Sequence, residues 1–126
     1  MTDNFSFSRL RRLRNNGVIR GYVSENSLDI KKFVYPLFIR FGVDVKEPIS
    51  SMPGCFNISL DHLKREVEYI VSLGITGVLL FGIPEMKDAV GSDCYSDDGI
   101  IQEAIKVIKD TAPDLYVITD ICLCEY

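Results

Sequence analysis

Three nearly continuous apolar runs constrain this chain more than any other feature: Lys32 to Arg40 (KFVYPLFIR), Ile75 to Gly82 (ITGVLLFG) and Leu115 to Leu123 (LYVITDICL). A strand with one wet face alternates apolar and polar residues, whereas a strand buried on both faces reads apolar throughout, as in parallel sheets. Two segments of helical period separate the runs. In the first, Ser59 is placed as N-cap, Leu60, Leu63, Val67, Ile70 and Val71 form a stripe, and Gly74 closes the end. The second is capped by Asp97 or Asp98, carries Ile101, Ala104, Ile105 and Ile108, and stops before Pro113. Strands alternating with helices predict parallel pairing and right-handed crossovers, hence an α/β fold.

The segments between these elements read as connections. Residues up to about Asp29 show no sustained period and carry turn signals at Asn15–Asn16–Gly17. Phe41 to Asn57 reads as a loop with a Pro53–Gly54 turn, and Ile83 to Ser96 as a polar loop. Pro36 inside the first strand calls for an edge or irregular position, because proline donates no ladder hydrogen bond.

Two architectures fit this order. A small doubly wound sheet would nearly be complete in 126 residues, but a nucleotide-binding one should place a Gly-rich turn after its first strand. Phe41–Gly42–Val43–Asp44 is no such turn. The other architecture is the opening of a (β/α)8 barrel, which takes about 250 residues and carries its chemistry at the C-terminal ends of its strands. Gly82–Ile83–Pro84–Glu85 and the stretch from Asp120 to Glu125 end strands in that way. The expected organisation is therefore an N-terminal arm, residues 1–29, followed by about three β/α units of an incomplete barrel, residues 30–126.

Charge and thiols narrow the class. Five arginines against Asp3 alone give the first twenty residues +4, while the whole chain is −4, so residues 21–126 sum to −8. An arm without an aromatic-interleaved or helix-turn-helix pattern, on an acidic body, argues against nucleic acid. It is better suited to an acidic surface of its own fold or of a neighbouring subunit. The longest apolar stretch is too short to span a bilayer, and no secretory h-region is visible. Four irregularly placed cysteines then predict reduced thiols in a cytoplasmic protein with no membrane partner.

In an extended strand Asp120, Cys122 and Cys124 share one face, opposite Leu115, Val117, Thr119, Ile121 and Leu123. Same-face Cα atoms lie ~6.6 Å apart, twice the strand rise. Two sulfurs on one zinc lie about 3.8 Å apart, so the side chains would have to lean together as the strand gives way to loop. Two thiolates are too few for a catalytic zinc, which usually takes three protein ligands. Cys55, Cys94 and His62 are distant in sequence. Spacing alone leaves both readings open, a metal pair or two small buried hydrophobes.

Several segments together resemble the porphobilinogen synthase family, also called 5-aminolevulinate dehydratases. They are Tyr35–Pro36–Leu37–Phe38, Glu47–Pro48–Ile49 with Ser51–Met52–Pro53–Gly54, Leu80–Phe81–Gly82–Ile83–Pro84, Lys87–Asp88 with Gly91–Ser92, and Ile118 to Tyr126. The resemblance runs from about Arg9 to the last residue. It implies a (β/α)8 barrel whose arm embraces a neighbouring subunit in a homo-oligomer, an octamer, and an enzyme that condenses two molecules of 5-aminolevulinate to porphobilinogen with loss of water. It implies zinc as cofactor, with Cys122 and Cys124 as two of three cysteine ligands, the third expected beyond Tyr126, and magnesium as a further candidate. Soft thiolates suit zinc better than magnesium. Asp120 matches the family's strand-end aspartate, with a supporting role in orienting substrate or a metal-bound water. The two lysines that form Schiff bases in the family are expected downstream; Lys31, Lys32, Lys46, Lys64, Lys87, Lys106 and Lys109 match neither. Asn57 departs from relatives that carry a basic residue there. By this reading the chain is an inactive fragment of the enzyme. The alternative of another class is a free-standing α/β metal-binding or redox-sensing module.

Overall fold

The computed structural model describes residues 11–121. Its centre is β1 (Val34–Arg40), paired in parallel along its whole length with β4 (Gly77–Ile83), from Val34 opposite Gly77 to Arg40 opposite Ile83. On its far side β4 pairs in parallel with β5 (Tyr116–Thr119). The two connections are α2 (Leu60–Ser72) and α3 (Ile100–Thr111). The parallel β/α order read from the apolar runs is thus present, with boundaries moved by one or two residues except at the end of β5.

Alternation along the strands divides the sheet into two unlike faces. Leu37 and Ile39 of β1 and Val78 and Leu80 of β4 are buried in one cluster with Leu63, Val67 and Ile70 of α2 and with Ile100, Ala104 and Ile108 of α3. The intervening residues, Phe38, Leu79 and Phe81, lie on the opposite face, which neither helix covers, and remain half-buried. Leu115, just ahead of β5, is buried in the same cluster, and Val117 of β5 packs against it, as their parity requires. Within α2 the expected stripe holds except at Val71, which is 46% exposed because it lies off the side that meets the sheet.

The C-terminus of α2 shows how closely local sequence and geometry agree. Gly74 has φ 81°, the left-handed conformation that costs glycine least. Its amide donates to the Val71 carbonyl at 2.9 Å, and the Ile75 amide donates to Ile70 at 3.4 Å. This double bond pattern is a Schellman motif, and Ile75 packs on the core containing Ile70.

Other expectations need correction. The supposed loop from Phe41 to Asn57 contains β2 (Lys46–Pro48) and β3 (Phe56–Ile58), paired antiparallel with each other. β3 then pairs in parallel with β1 at Phe38 and Ile39, giving a mixed five-stranded sheet of order β2-β3-β1-β4-β5. Strands of three residues are too short to declare a period. Because β3 reaches β1 only at those two positions, the edge of β1 ahead of Phe38, where Pro36 sits, meets no strand among the described residues.

The N-cap of α3 is Gly99, not Asp97 or Asp98. A side chain there would come within 2.9 Å of the Asp93 carbonyl, so the tight approach of the preceding loop selects glycine. β5 ends at Thr119 rather than Leu123, and Ile121 is 94% exposed, with no helix over it. The arm contains a six-residue helix, α1 (Gly17–Tyr22), because the Asn16 side chain accepts from the Ile19 amide and caps a helix where a turn was read.

A Cβ added at Gly82 would lie 2.6 Å from Ile101 Cγ1, so α3 rests directly on this point of β4. Gly82→Ala should destabilise the protein by about 1–3 kcal/mol through overpacking. Gly21→Ala, with nothing within 4 Å of the added carbon, should not. Urea midpoints of the two variants check the difference.

Candidate functional site at the strand C-termini

Parallel pairing aims the C-terminal ends of β1, β4 and β5 the same way, and the connections to α2 and α3 begin there. At this end the helix-free face carries Phe38 and Arg40 from β1 and Phe81 from β4. The Phe38 and Phe81 rings stack, with centroids 5.0 Å apart and planes 13° apart. Arg40 pairs with Glu47 of β2 at 2.5 Å, tying the hairpin to the end of β1. Beyond β5 the Asp120 amide donates to the Leu80 carbonyl at 3.2 Å, extending the ladder register by one position. Alternation therefore carries the exposed Asp120 onto the face of Tyr116 and Ile118, in the row of Phe38 and Phe81. Cys122 and Cys124 lie outside the described residues.

The remaining sequence candidates are dispersed. Cys55, half-buried, stands at the turn into β3, and exposed Cys94 lies in a single 3-10 turn, Ser92–Tyr95, of the β4–α3 loop. In the same loop Asp88 accepts from the Val90 and Ser92 amides at 3.2 and 3.0 Å. Hydrogen bonding from Ser92, side chain first and then amide, holds the Asp88 carboxyl below the usual range. These contacts make Asp88 an organiser of its own loop.

His62, far in sequence from Cys122 and Cys124, is the centre of a cluster the sequence reading missed. Its Nε2 lies 2.8 Å from Asp44 Oδ1 and 3.8 Å from Asp61 Oδ2. Among the described residues, Asp44, Asp61 and His62 bring three potential ligand atoms within 4.8 Å of one another. Two carboxylates and an imidazole could hold a divalent cation, and they are not the thiolate set that favours zinc. Each is already engaged within the protein. The Asp44 amide donates to Asp61 Oδ2 at 3.1 Å, and the buried Ser59 hydroxyl donates to Asp61 Oδ1 at 2.6 Å. That hydroxyl, ahead of the local amides, lowers the Asp61 pKa. Ser59 occupies the N-cap position, as expected, but its hydroxyl also accepts from the Val45 amide at 2.9 Å and caps no helix amide. The network fastens the β1–β2 turn to the start of α2. Asp44 has φ 56°, a conformation aspartate tolerates better than most residues, and no spacing rule in the sequence links it to Asp61 and His62.

A cavity of about 430 Å³ opens at the unpaired edge of β1, between α2 and the β2–β3 hairpin. Within it the Tyr35 hydroxyl donates to Glu66 Oε1 at 3.0 Å. Burial, then the hydrogen bond and the charge of Glu66, push the Tyr35 phenol up to about 12.

The sequence model of the family described as delta-aminolevulinic acid dehydratase matches residues 7–126. The delta-aminolevulinic acid dehydratase of Halalkalibacterium halodurans is 47% identical over 126 residues, covering 100% of this chain and 38% of the relative. That of Bacillus subtilis is 47% identical over 121 residues, 96% of this chain and 37% of the relative. The chain thus spans well under half the length of these relatives. Among solved structures, the delta-aminolevulinic acid dehydratase (porphobilinogen synthase) of Toxoplasma gondii, in complex with the reaction product porphobilinogen, superposes with a TM-score of 0.85 at 33% identity. It covers 94% of this chain and 34% of that one. This likeness makes the mixed sheet and its two helices an N-terminal part of a (β/α)8 barrel.

The raised Tyr35 pKa has a sign that alkaline titration reads directly. The folded state holds the phenolic proton more tightly than the unfolded chain, so Tyr35 contributes stability below pH 10 that is lost as the pH rises towards 12. The difference between wild type and Tyr35→Phe in phenolate absorbance should show one tyrosine ionising near 12. Glu66→Gln should bring that midpoint part of the way down, since burial, the larger cause, remains.

Proposed function

The chain belongs to the delta-aminolevulinic acid dehydratase family, and we propose that the whole protein condenses two molecules of 5-aminolevulinate to porphobilinogen, a step of tetrapyrrole (haem) biosynthesis. The observation that carries this reading is the family match over residues 7–126, joined to strand ends whose helix-free face carries Asp120. A (β/α)8 barrel works at the C-terminal ends of its strands. The residues of this chain at that end shape a mouth, orient substrate and limit water; the Schiff-base lysines belong to later strands.

Cys122 and Cys124 are proposed as two of three thiolate ligands for zinc. When bound there, the metal would supply Lewis-acid polarisation of substrate. Asp120, same-faced with both cysteines in an extended strand, is proposed to orient substrate. A carboxylate near a substrate amine can hold it, and can accept its proton as the amine becomes a nucleophile. Magnesium is the second metal assigned to the whole protein, without residues of this chain.

The arm is assigned to residues 1–29, the barrel portion to residues 30–126, and the arm's partner to a neighbouring subunit of a homo-octamer. Supporting this, Tyr22 and Leu28 of the arm are 86% and 91% exposed among the described residues. No helix of the described residues is long and apolar enough to cross a membrane, and the proposed location is the cytoplasm.

The test is turnover of 5-aminolevulinate to the pyrrole by the full-length protein. Cys122→Ala or Cys124→Ala should lower bound zinc and remove most turnover, while borohydride still traps a substrate imine. Asp120→Ala should retain zinc and lose roughly a hundredfold in kcat, the scale of a lost acid–base group. Full activity of both cysteine variants after metal stripping would exclude them from the catalytic centre.

A further inference from the structure

Two of the sequence segments singled out at the start, Tyr35–Pro36–Leu37–Phe38 and Leu80–Phe81–Gly82–Ile83–Pro84, meet through one side-chain contact on the helix-free face. Phe38 and Phe81 are direct partners in the parallel ladder, and their rings stack at 5.0 Å between centroids. We propose that Phe38 is a positioning residue of the substrate site: its ring, stacked on that of Phe81, holds the Phe81 ring as an apolar wall of the mouth beside Asp120. This rests on the functional reading above.

Three observations converge on Phe38. Its backbone is paired on both sides, with Asn57 of β3 and Phe81 of β4, at the middle of the five-stranded sheet. The position of Phe81 is fixed from behind, because Ile100 and Ile101 of α3 close on the adjacent Gly82 and leave no room for a side chain. No helix among the described residues covers this face, so the Phe81 ring takes its lateral support from its ladder neighbour. Planes 13° apart at 5.0 Å place the rings face against face, so the Phe38 ring sets the plane of the Phe81 ring and leaves the other Phe81 face free of it.

The chemistry of the substrate suits such a wall. 5-Aminolevulinate has a carboxylate and an amine joined through a ketone and apolar methylenes. Polar groups at the rim, Asp120 among them, address its ends, and an aromatic surface beneath takes the methylenes. The surface also keeps water from the ketone carbon at which an amine must add. Contacts to methylenes are alike in the ground and transition states, so losing them raises KM more than it lowers kcat.

The full-length enzyme with Phe38→Leu, Phe38→Tyr and Phe38→Met tests this, with Ile39→Val as a packing control on the opposite, helix-covered face, where Ile39 is 0% exposed. Phe38→Leu should raise KM by about tenfold with kcat changed less than about twofold. Phe38→Tyr, which keeps the flat ring, should restore KM. Phe38→Met, similar in volume but without a plane, should behave like leucine, and it carries the test if the leucine variant does not fold. Ile39→Val should lower the Tm and leave KM alone. If the leucine and methionine variants lose Tm with an unchanged KM, the ring only fills the barrel and the proposal is overturned. Absence of turnover in the wild-type enzyme overturns the functional reading, and this proposal with it.

Discussion

The parallel pairing of β1 with β4 is the constraint on which the rest of the structure depends. It runs the full length of both strands, from Val34 opposite Gly77 to Arg40 opposite Ile83. Because the side-chain period is two, this register decides at once which residues meet the helices and which meet the other face. Leu37, Ile39, Val78 and Leu80 go to the helices, and the stripes of α2 and α3 have one place to bury themselves. A slip of β1 by one residue would send Phe38 into the helix layer and turn Leu37 and Ile39 out of the core. The register is held from outside as well, by β3 on one side and β5 on the other.

The same register creates the candidate site. Aligning the strands in parallel brings their C-terminal ends to one edge, so that Arg40, Phe81 and Asp120, separated by up to eighty positions in sequence, become neighbours in one region. The loops at that edge are organised by short-range polar contacts. Ser59, fully buried, spends its hydroxyl on Val45 and Asp61, and Asp44 reaches His62. A buried hydroxyl without partners would be destabilising, so this network fixes the turn after β1 as firmly as a strand pairing would. The mouth is built on rigid supports, and the exposed carboxylates are arranged around them.

What could be read in advance follows a physical pattern. Apolar runs and helical stripes report burial summed over many residues, and they located β1, β4, β5, α2 and α3 to within a residue or two, apart from the end of β5. Gly74 was legible because a left-handed residue after a helical stripe has one common use. The hairpin β2–β3 was not legible: three residues per strand bury too little to leave a period, and its pairing with β1 depends on a partner far along the chain. The Asp44–Asp61–His62 cluster and the Tyr35–Glu66 contact joined residues 17 to 31 positions apart, with no motif linking them. Asp97 and Asp98 have the composition of caps, yet the close approach of Asp93 moved the cap to Gly99.

Parallel pairing of β1, β4 and β5, the two amphipathic helices that connect them, and the gathering of polar residues at the strand ends could all be read from the sequence. Each of these is a property of local period and composition. Segments that match one family also pointed to an N-terminal part of a barrel. Tertiary structure alone decided which side chains stand together at those ends: the Phe38–Phe81 stack, the Arg40–Glu47 pair and the clasp around His62. Such pairs depend on register and on distances between segments, which come into existence only when β1 and β4 have docked and the helices have closed behind them.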